Sequence, residues 1–312
     1  MPAAGPRCAQ PDAPYPGTGC VSTSAASAGT LAANAELRPA QFQEIAAIMQ
    51  REARIHLVEA KTTLVHSRLS RRLREHGLTS FADYVSLVQR DAQERHAMVV
   101  ALTTNHTHFF REAHHFDHLR SHVLPQLQER ARRGEKVRIW SAGCSSGEEV
   151  YTIAMCLAGE SPASAAWLDK GDVRLLATDI SPPVVQAVSQ ATYPDSAVEP
   201  IPAGYRQRWL KPAGTGYHVI AETLRKLVAA RVLNLFDQWP MRQKYDVIFC
   251  RNVMIYFDDT AKAELEARLV DMLQPGGTLY IGHSERLIGP AATRMKPVAQ
   301  TAYARIDGAG AA

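Results

Sequence analysis

The segment Val137-Arg-Ile-Trp-Ser-Ala-Gly-Cys-Ser-Ser-Gly-Glu-Glu149 leads an apolar run into a small-residue turn. Val173-Arg-Leu-Leu-Ala-Thr-Asp-Ile180 leads a second apolar run into Asp179. In an open α/β sheet that pairing holds an adenosine: the turn lets backbone approach the ligand, and the acid at the next strand's end grips the ribose hydroxyls. Gly143 and Gly147 do not complete a GxGxxG, so these two segments alone leave open a plain strand, turn and helix with a surface acid, and they argue against a dinucleotide oxidoreductase. Arg68, Arg71, Arg72 and Arg74 crowd one short stretch, a pattern that suits either a solvated helix face or an acidic partner. No aromatic residues interleave with these charges, which argues against nucleic acid. His106, His108, His114, His115 and His118 are close in sequence, and His114 with His118 would share one helical face. A zinc site needs a further ligand and groups that orient the imidazoles, and none stands nearby, so no metal is assigned.

These groups must be positioned by two kinds of element. From Pro39 to about Thr103 the periodicity is helical: Phe42, Ile45, Ile48 and Met49 mark a first helix, Leu64, Leu69 and Leu73 a second that Gly77 closes. Thr79 is read as the N-cap of a third, bearing Phe81, Tyr84, Leu87 and Val88, and Asp91–Leu102 as a fourth. After Lys136 strands alternate with helices. The strands fall at Val137–Ser141, Val173–Thr178, Arg231–Leu235, Tyr245–Cys250 and Thr278–Gly282. The helices fall at Glu148–Leu157, Pro183–Gln190 and Thr260–Leu273, with a turn at Gln274–Gly277 and a last strand over Pro297–Ile306. This alternation predicts an α/β fold, a doubly wound and mostly parallel sheet, preceded by an all-helical domain. Gly214-Thr-Gly216 sits in a stretch that reads as a β-hairpin insertion over 205–228. The domains expected are a disordered tail over 1–36, rich in Ala, Gly, Pro, Ser and Thr, a helical domain over 37–103, a linker over 104–135, and an α/β domain over 136–312. A formal charge of +4 gives no case for nucleic acid, and no apolar run approaches a membrane span, so no direct membrane insertion is expected. Cys8, Cys20, Cys144, Cys156 and Cys250 contain no CxxC pair and read as reduced thiols of a cytoplasmic protein, with Cys144 and Cys250 as small residues at strand ends.

Taken together, Thr103-Thr-Asn-His-Thr-His-Phe-Phe-Arg-Glu-Ala-His-His-Phe116, Trp140 to Glu149, Ala177-Thr-Asp-Ile180, Phe249-Cys-Arg-Asn-Val-Met-Ile-Tyr-Phe257 and Gly282-His-Ser-Glu285 resemble the bacterial chemotaxis receptor methyltransferases, the CheR family. The resemblance spans about Pro39 to Arg305. It implies a methyltransferase-type sheet and transfer of a methyl group from S-adenosyl-L-methionine to glutamates on the cytoplasmic helical bundle of methyl-accepting chemotaxis receptors, by a monomer. It implies Asn105, Thr107 and Arg111 over the cofactor, Glu148 at the cofactor's amino-acid end, Asp179 on the ribose, Asn234 and Leu235 beside the adenine, and Arg251 and Asn252 closing the far side. Tyr256 would face the sulfonium, and Arg111 and Tyr256 would align the reacting groups. The resemblance also turns Arg68, Arg71, Arg72 and Arg74 into a docking face for the acidic receptor surface. The loop at Gly214–Gly216 is shorter than in the members that grip a receptor's C-terminal peptide, which points to the tether-independent subclass. The first turn departs from the family pattern by reading Ala-Gly-Cys-Ser-Ser-Gly, and His106 and His108 take no assigned role.

The implied chemistry is self-consistent. A glutamate with an ordinary pKa of about 4.3 is already a nucleophile at neutral pH and needs no general base. Joining a carboxylate to a methyl sulfonium cancels both charges, so a dry pocket favours the step and alignment is the remaining task. Taken outside the resemblance, Arg111 is open to a salt bridge with a neighbour such as Glu112, and Tyr256 to a place in the core. The rivals are a small-molecule or RNA methyltransferase on the same scaffold, and a regulatory module that binds the cofactor without turnover.

Overall fold

The computed structural model describes residues 35–306, and the expected disordered tail lies outside them apart from its last two residues. Those two correct the boundary: Ala35 is buried against the helical domain together with Leu37, and the Ala35 carbonyl meets His66 Nε2 at 2.8 Å.

Four helices, α1 (Pro39–Ala53), α2 (Thr62–Glu75), α3 (Phe81–Arg90) and α4 (Ala92–Leu102), enclose the first core, in which Ile45, Met49, Leu69, Leu73, Tyr84 and Met98 are fully buried. Asp91 caps α4 by accepting the Gln93 and Glu94 amides. The cap of α3 is Ser80 and not Thr79: its hydroxyl accepts the Asp83 amide at 3.1 Å. The first position in a helix whose side chain can reach back to the third amide is decided by where the backbone turns, and two adjacent hydroxyl residues leave that open in sequence.

The segment 104–135 is only partly a linker. Residues 113–132 form α5 (Ala113–His118), a π-helical turn (Leu119–Val123) and α6 (Leu124–Arg132), and Leu119, Val123 and Leu127 bury in the α/β core. The α/β domain follows as β1 (Val137–Ala142), α7 (Glu148–Ala158), α8 (Pro162–Lys170), β2 (Val173–Asp179), α9 (Pro182–Gln190), β3 (Thr192–Pro194), α10 (Ala203–Trp209), β4 (Leu210–Pro212), β5 (Tyr217–Ile220), β6 (Val228–Val232), β7 (Tyr245–Cys250), α11 (Asp259–Met272), β8 (Leu273–Ile281), β9 (Met295–Ala299) and β10 (Ala302–Arg305). The main sheet runs β6-β2-β1-β7-β8-β10-β9, parallel through β8 and antiparallel at β10 and β9. β1 and β7 are buried on both faces, as their uninterrupted apolar runs require. Strand order reverses beside β1, which opens the crevice at the C-terminal ends of β1, β2 and β7.

Three further expectations are corrected. The third strand lies at Val228–Val232, before the Arg231–Leu235 window, because Leu233 to Leu235 turn out of the sheet toward the crevice. The last strand is a hairpin, β9 with β10, reversed at Thr301 in the left-handed region. The insertion is a three-stranded antiparallel sheet in the order β3-β5-β4, so it recruits Thr192–Pro194 from before residue 205. Helix α8 carries a Ser161/Ser164 capping box that the sequence reading passed over.

Candidate active site

A cavity of about 250 Å³ opens at the crevice, walled by the helical domain, the residues that join the domains, and the C-terminal ends of β1, β2 and β7. Ala53, Ile55, Leu57, Lys61, Leu64 and Leu102 line it from the helical side. The two domains are held together across it by the Ile55–Phe257 bridge, His56 N to Tyr256 O at 2.9 Å, Gln50 Nε2 to Asp258 Oδ2 at 2.8 Å and Asn234 Nδ2 to Glu52 O at 2.8 Å.

Asn105, Thr107, Arg111, Asp179, Asn234, Leu235, Arg251, Asn252 and Tyr256 all line this cavity. Glu148 does not. Its carboxylate turns to Ser146 Oγ at 2.7 Å, and its neighbour Glu149 lines the cavity instead, accepting from Ser141 Oγ at 2.7 Å and Arg251 Nη1 at 3.1 Å. Consecutive helical residues point about 100° apart, and the left-handed Gly147 that opens α7 sets which of the two faces the crevice. Burial pushes both glutamate carboxyls up; Ser146 opposes this at Glu148, and Arg251 and Ser141 at Glu149.

At the end of β2, Asp179 is fastened by two backbone amides, Ser145 N to Oδ2 and Ser181 N to Oδ1, each at 3.0 Å. Burial raises its carboxyl while these amides pull it down. The β1 turn is tight enough to exclude side chains: Gly143 sits at φ 83°, and a Cβ there would lie 2.4 Å from Val253 Cγ2. Phe110, Glu112, Ser145 and Asn252, all in or beside the site, hold left-handed conformations that cost a non-glycine residue free energy.

Arg251 is the charged centre of the far wall. It meets Glu149 and Glu112 Oε2 (3.2 Å) and donates to the Arg111 carbonyl. Glu112 also meets His283 Nδ1 at 3.0 Å and Asn252 Nδ2 at 3.4 Å. Burial works to raise the Glu112 carboxyl, but Arg251 and His283 outweigh it and hold the group at about 2. Glu285 explains the Gly-His-Ser-Glu motif: it accepts the amides of Gly282 (2.6 Å), Asn252 (3.0 Å) and Ile255 (3.2 Å), and so fastens the Arg-Asn-Val-Met-Ile stretch to the end of β8. Glu149, Glu285 and Lys61 were missed from sequence; the signal for the first was the doubled glutamate itself.

Glu112 being thus engaged, the alternative salt bridge for Arg111 does not form. Arg111 Nη1 reaches only the His106 carbonyl, at 2.8 Å, and no carboxylate pairs with it among the described residues. Tyr256 is half-buried, packs on the helical core and directs its hydroxyl toward the Thr104 carbonyl at 3.5 Å. The four arginines do not share one face. Arg68 reaches the carbonyls of Thr103 (2.6 Å) and Ala101 (3.4 Å), and Arg72 pairs with the buried Glu94, leaving Arg71 and Arg74 exposed. Arg68 and Arg72, four apart on one side of α2, are half-buried and bonded within the protein, so the four arginines differ in how freely they meet solvent. His118 bonds Tyr280 Oη at 2.8 Å, away from His114. Glu112, His114 and His115 do converge within 4.8 Å, beside the Arg251 guanidinium, whose charge opposes a bound cation. Cys144 and Cys250 are buried thiols pushed up by burial, as their role as small strand-end residues requires.

A sheet of this order, opening at its switch point onto a site for adenosine, is that of an S-adenosylmethionine-dependent methyltransferase. Residues 105–304 match the CheR methyltransferase SAM-binding domain and residues 40–103 the CheR methyltransferase all-alpha domain, so the chain belongs to the CheR methyltransferase family. It is 42% identical to a probable chemotaxis protein methyltransferase of Rhizobium etli (81% of this chain, 94% of that one) and 40% identical to chemotaxis protein methyltransferase 2 of Pseudomonas aeruginosa (84% and 91%). It is 38% identical to the chemotaxis protein methyltransferase of Escherichia coli (80% and 84%). The chain is a methyltransferase of chemotaxis that uses S-adenosylmethionine.

The cavity fits that cofactor. Its lining combines polar Asp179, Glu149, Asn252 and Arg251, whose buried Nε is unpartnered, with apolar Ile180, Leu233, Leu235 and Phe236, a mixture that suits a ligand carrying a charged amino acid, a ribose and a purine. When bound, the cofactor supplies an electrophilic methyl group. Among the described residues no helix is long and apolar enough to cross a membrane.

Proposed function

We propose that this chain methylates glutamate side chains on the cytoplasmic helical bundle of methyl-accepting chemotaxis receptors, acting as a monomer. The observation that carries the reading is Arg111: a cation on the wall of the cavity that Tyr256 also lines, with no carboxylate paired to it among the described residues. An anionic side chain entering the mouth meets that charge. The glutamate arrives ionised, so no residue need take a proton. Arg111 steers one oxygen and Tyr256 limits the approach, while Leu57, Leu64 and Leu102 keep water from the reacting oxygen. Asp179 and Glu149 hold the cofactor at its ribose and amino-acid ends, and Asn105 and Thr107 cover it. Arg71 and Arg74 are the arginines of α2 left to meet the receptor's acidic surface, and the short Gly214–Gly216 loop supports recruitment without a receptor tail. An enzyme whose substrate is the receptors' cytoplasmic bundle works in the cytoplasm.

The test is to incubate the protein with labelled cofactor and receptor fragments and map the methyl group by mass spectrometry. Base-labile label on glutamate is the expected result, and label on a small molecule, RNA or another side chain overturns the proposal. Removing the receptor's C-terminal tail should leave the rate unchanged, and a tail peptide should show no binding by calorimetry.

A further inference from the structure

The cavity mouth holds a second cation that neither the cofactor nor the fold employs. Lys61 closes the 3₁₀ turn Glu59–Lys61 immediately before α2, and its side chain lines the cavity with Leu64, Thr104, Arg111, Ile255 and Tyr256. Its ammonium lies 5.6 Å from the centroid of the Tyr256 ring. No carboxylate pairs with it among the described residues. Among the cations of the cavity wall the contrast is with Arg251, which is paired with both Glu112 and Glu149. Two cations without a carboxylate partner therefore line the cavity that Tyr256 lines, Lys61 from the helical domain and Arg111 from the segment joining the domains.

We infer that Lys61 is the specificity residue of the mouth, selecting an ionised carboxylate over the isosteric carboxamide. The inference rests on the glutamate reading above and adds the residue that enforces it. Two half-buried like charges with no counter-ion are a standing demand for an anion, and a neutral amide does not meet it. The chemistry of lysine also suits a carboxylate that must react. A guanidinium fork engages both oxygens in parallel and quenches them, whereas an ammonium is a point charge that holds one oxygen and leaves the other free. The face of Tyr256 keeps the ammonium over the mouth until the substrate arrives, since a cation within about 6 Å of a ring centroid is attracted to it. Leu64 and Ile255, exposed at 36% and 49%, border the same opening and offer apolar contact to the rest of a substrate helix.

The experiment uses the full chain and its Lys61→Met and Lys61→Arg variants with two receptor fragments, identical except that one carries glutamate and the other glutamine at the methylated position. The glutamate fragment is assayed as substrate and the glutamine fragment as competitive inhibitor. Lys61→Met retains the apolar stem and should raise the KM for the glutamate fragment about tenfold, the scale of one partly screened charge contact. Inhibition by the glutamine fragment and affinity for S-adenosylhomocysteine should stay within about twofold of wild type, and Lys61→Arg should recover the KM while lowering kcat, because its fork engages both oxygens. Equal weakening of both fragments would make Lys61 a mere docking contact, and an unchanged KM for glutamate would remove it from recognition; either overturns the inference and leaves the glutamate reading standing. A wild-type enzyme that does not esterify the glutamate fragment overturns both.

Discussion

Two carboxylates in this protein, the buried Glu94 and the half-buried Glu112, are surrounded by similar kinds of residue, and only one adjoins the cavity wall. Glu94, in the helical domain, is 3% exposed and accepts from Arg72, from Tyr84 at 2.7 Å and from His76 at 2.6 Å. Glu112, beside the cavity, meets Arg251, His283 and Asn252. Glu94 finds all three partners within 22 residues, and its cluster closes on itself. Glu112 has one near neighbour, His115 at 3.5 Å, but Arg251, Asn252 and His283 lie 139 to 171 residues away, its backbone is left-handed, and the cavity-lining Arg251 keeps a buried, unpartnered Nε. An Arg–Glu–His cluster is therefore no mark of function by its composition. Strain, an unsatisfied donor and contact with a cavity are what separate the second cluster from the first.

The largest expected effect falls on the closed cluster. Glu94→Ala removes the acceptor of the fully buried Tyr84 and of His76, leaves Arg72 with Glu75 alone, and should cost about 3–5 kcal/mol of stability, read by urea unfolding. Affinity for the cofactor, read by calorimetry in the residual folded fraction, should not change; a coupled loss would erase the distinction between the two clusters. At the open site the effect is on rate. Arg111→Ala and Tyr256→Phe should each lower turnover on the order of a hundredfold with unfolding curves unchanged, since misalignment by an ångström is that costly. Near-normal turnover in both would return them to structural roles.

Smaller still is the loss on Asp179→Ala, which should weaken cofactor binding about ten- to a hundredfold by leaving ribose hydroxyls unpaired, with receptor affinity retained. Calorimetry that finds wild-type affinity removes the adenosine site from the end of β2. The open cluster also has a pH signature. Burial and Arg251 hold His115 down at about 3, well below its ordinary value. The unfolded chain then takes up a proton at this residue that the folded chain refuses. Stability should fall by up to about 1.4 kcal/mol per pH unit as pH drops below about 6.5 toward 3. Glu112, held at about 2, adds a loss only below its ordinary carboxylate range. Replacing His115 by Phe should flatten the slope between pH 6 and 4; an unchanged slope would mean that the imidazole is charged in the folded protein. The smallest effect belongs to the surface. Arg71→Glu with Arg74→Glu should raise the receptor KM a few-fold, and the effect should fade as salt shortens the Debye length to about 8 Å at physiological ionic strength. An equal response from Arg72→Gln after allowance for its lost stability would restore the single basic face.

Much of the architecture was legible because it is written locally. Apolar runs placed β1, β2 and β7 within a residue of their ends, the Asp91–Leu102 window fell within a residue of α4, and Asp179 stands at the end of β2 on the cavity wall. The segment from Ala113 to Arg132 was less legible, because its apolar residues pack against a sheet that comes later in the chain. The same is true of Thr192–Pro194: three residues carry no periodicity, and they become a strand only because β5 lies beside them.

By itself, the sequence determined that a mostly parallel sheet of the cofactor-binding kind follows a helical domain, and nine of the ten catalytic and cofactor residues it named line the cavity. Tertiary structure alone decided the orientation within each pair: Glu149 and not Glu148 lines the cavity, Ser80 and not Thr79 caps α3, and Arg71 and Arg74 are exposed where Arg68 and Arg72 are half-buried. It also brought Lys61 over Tyr256, a contact between the two domains that no local pattern encodes. The reason is geometric. Residue type and spacing specify a helix or strand and its apolar side, but the direction of a polar side chain is set by the elements packed against it, and those arrive from distant parts of the chain.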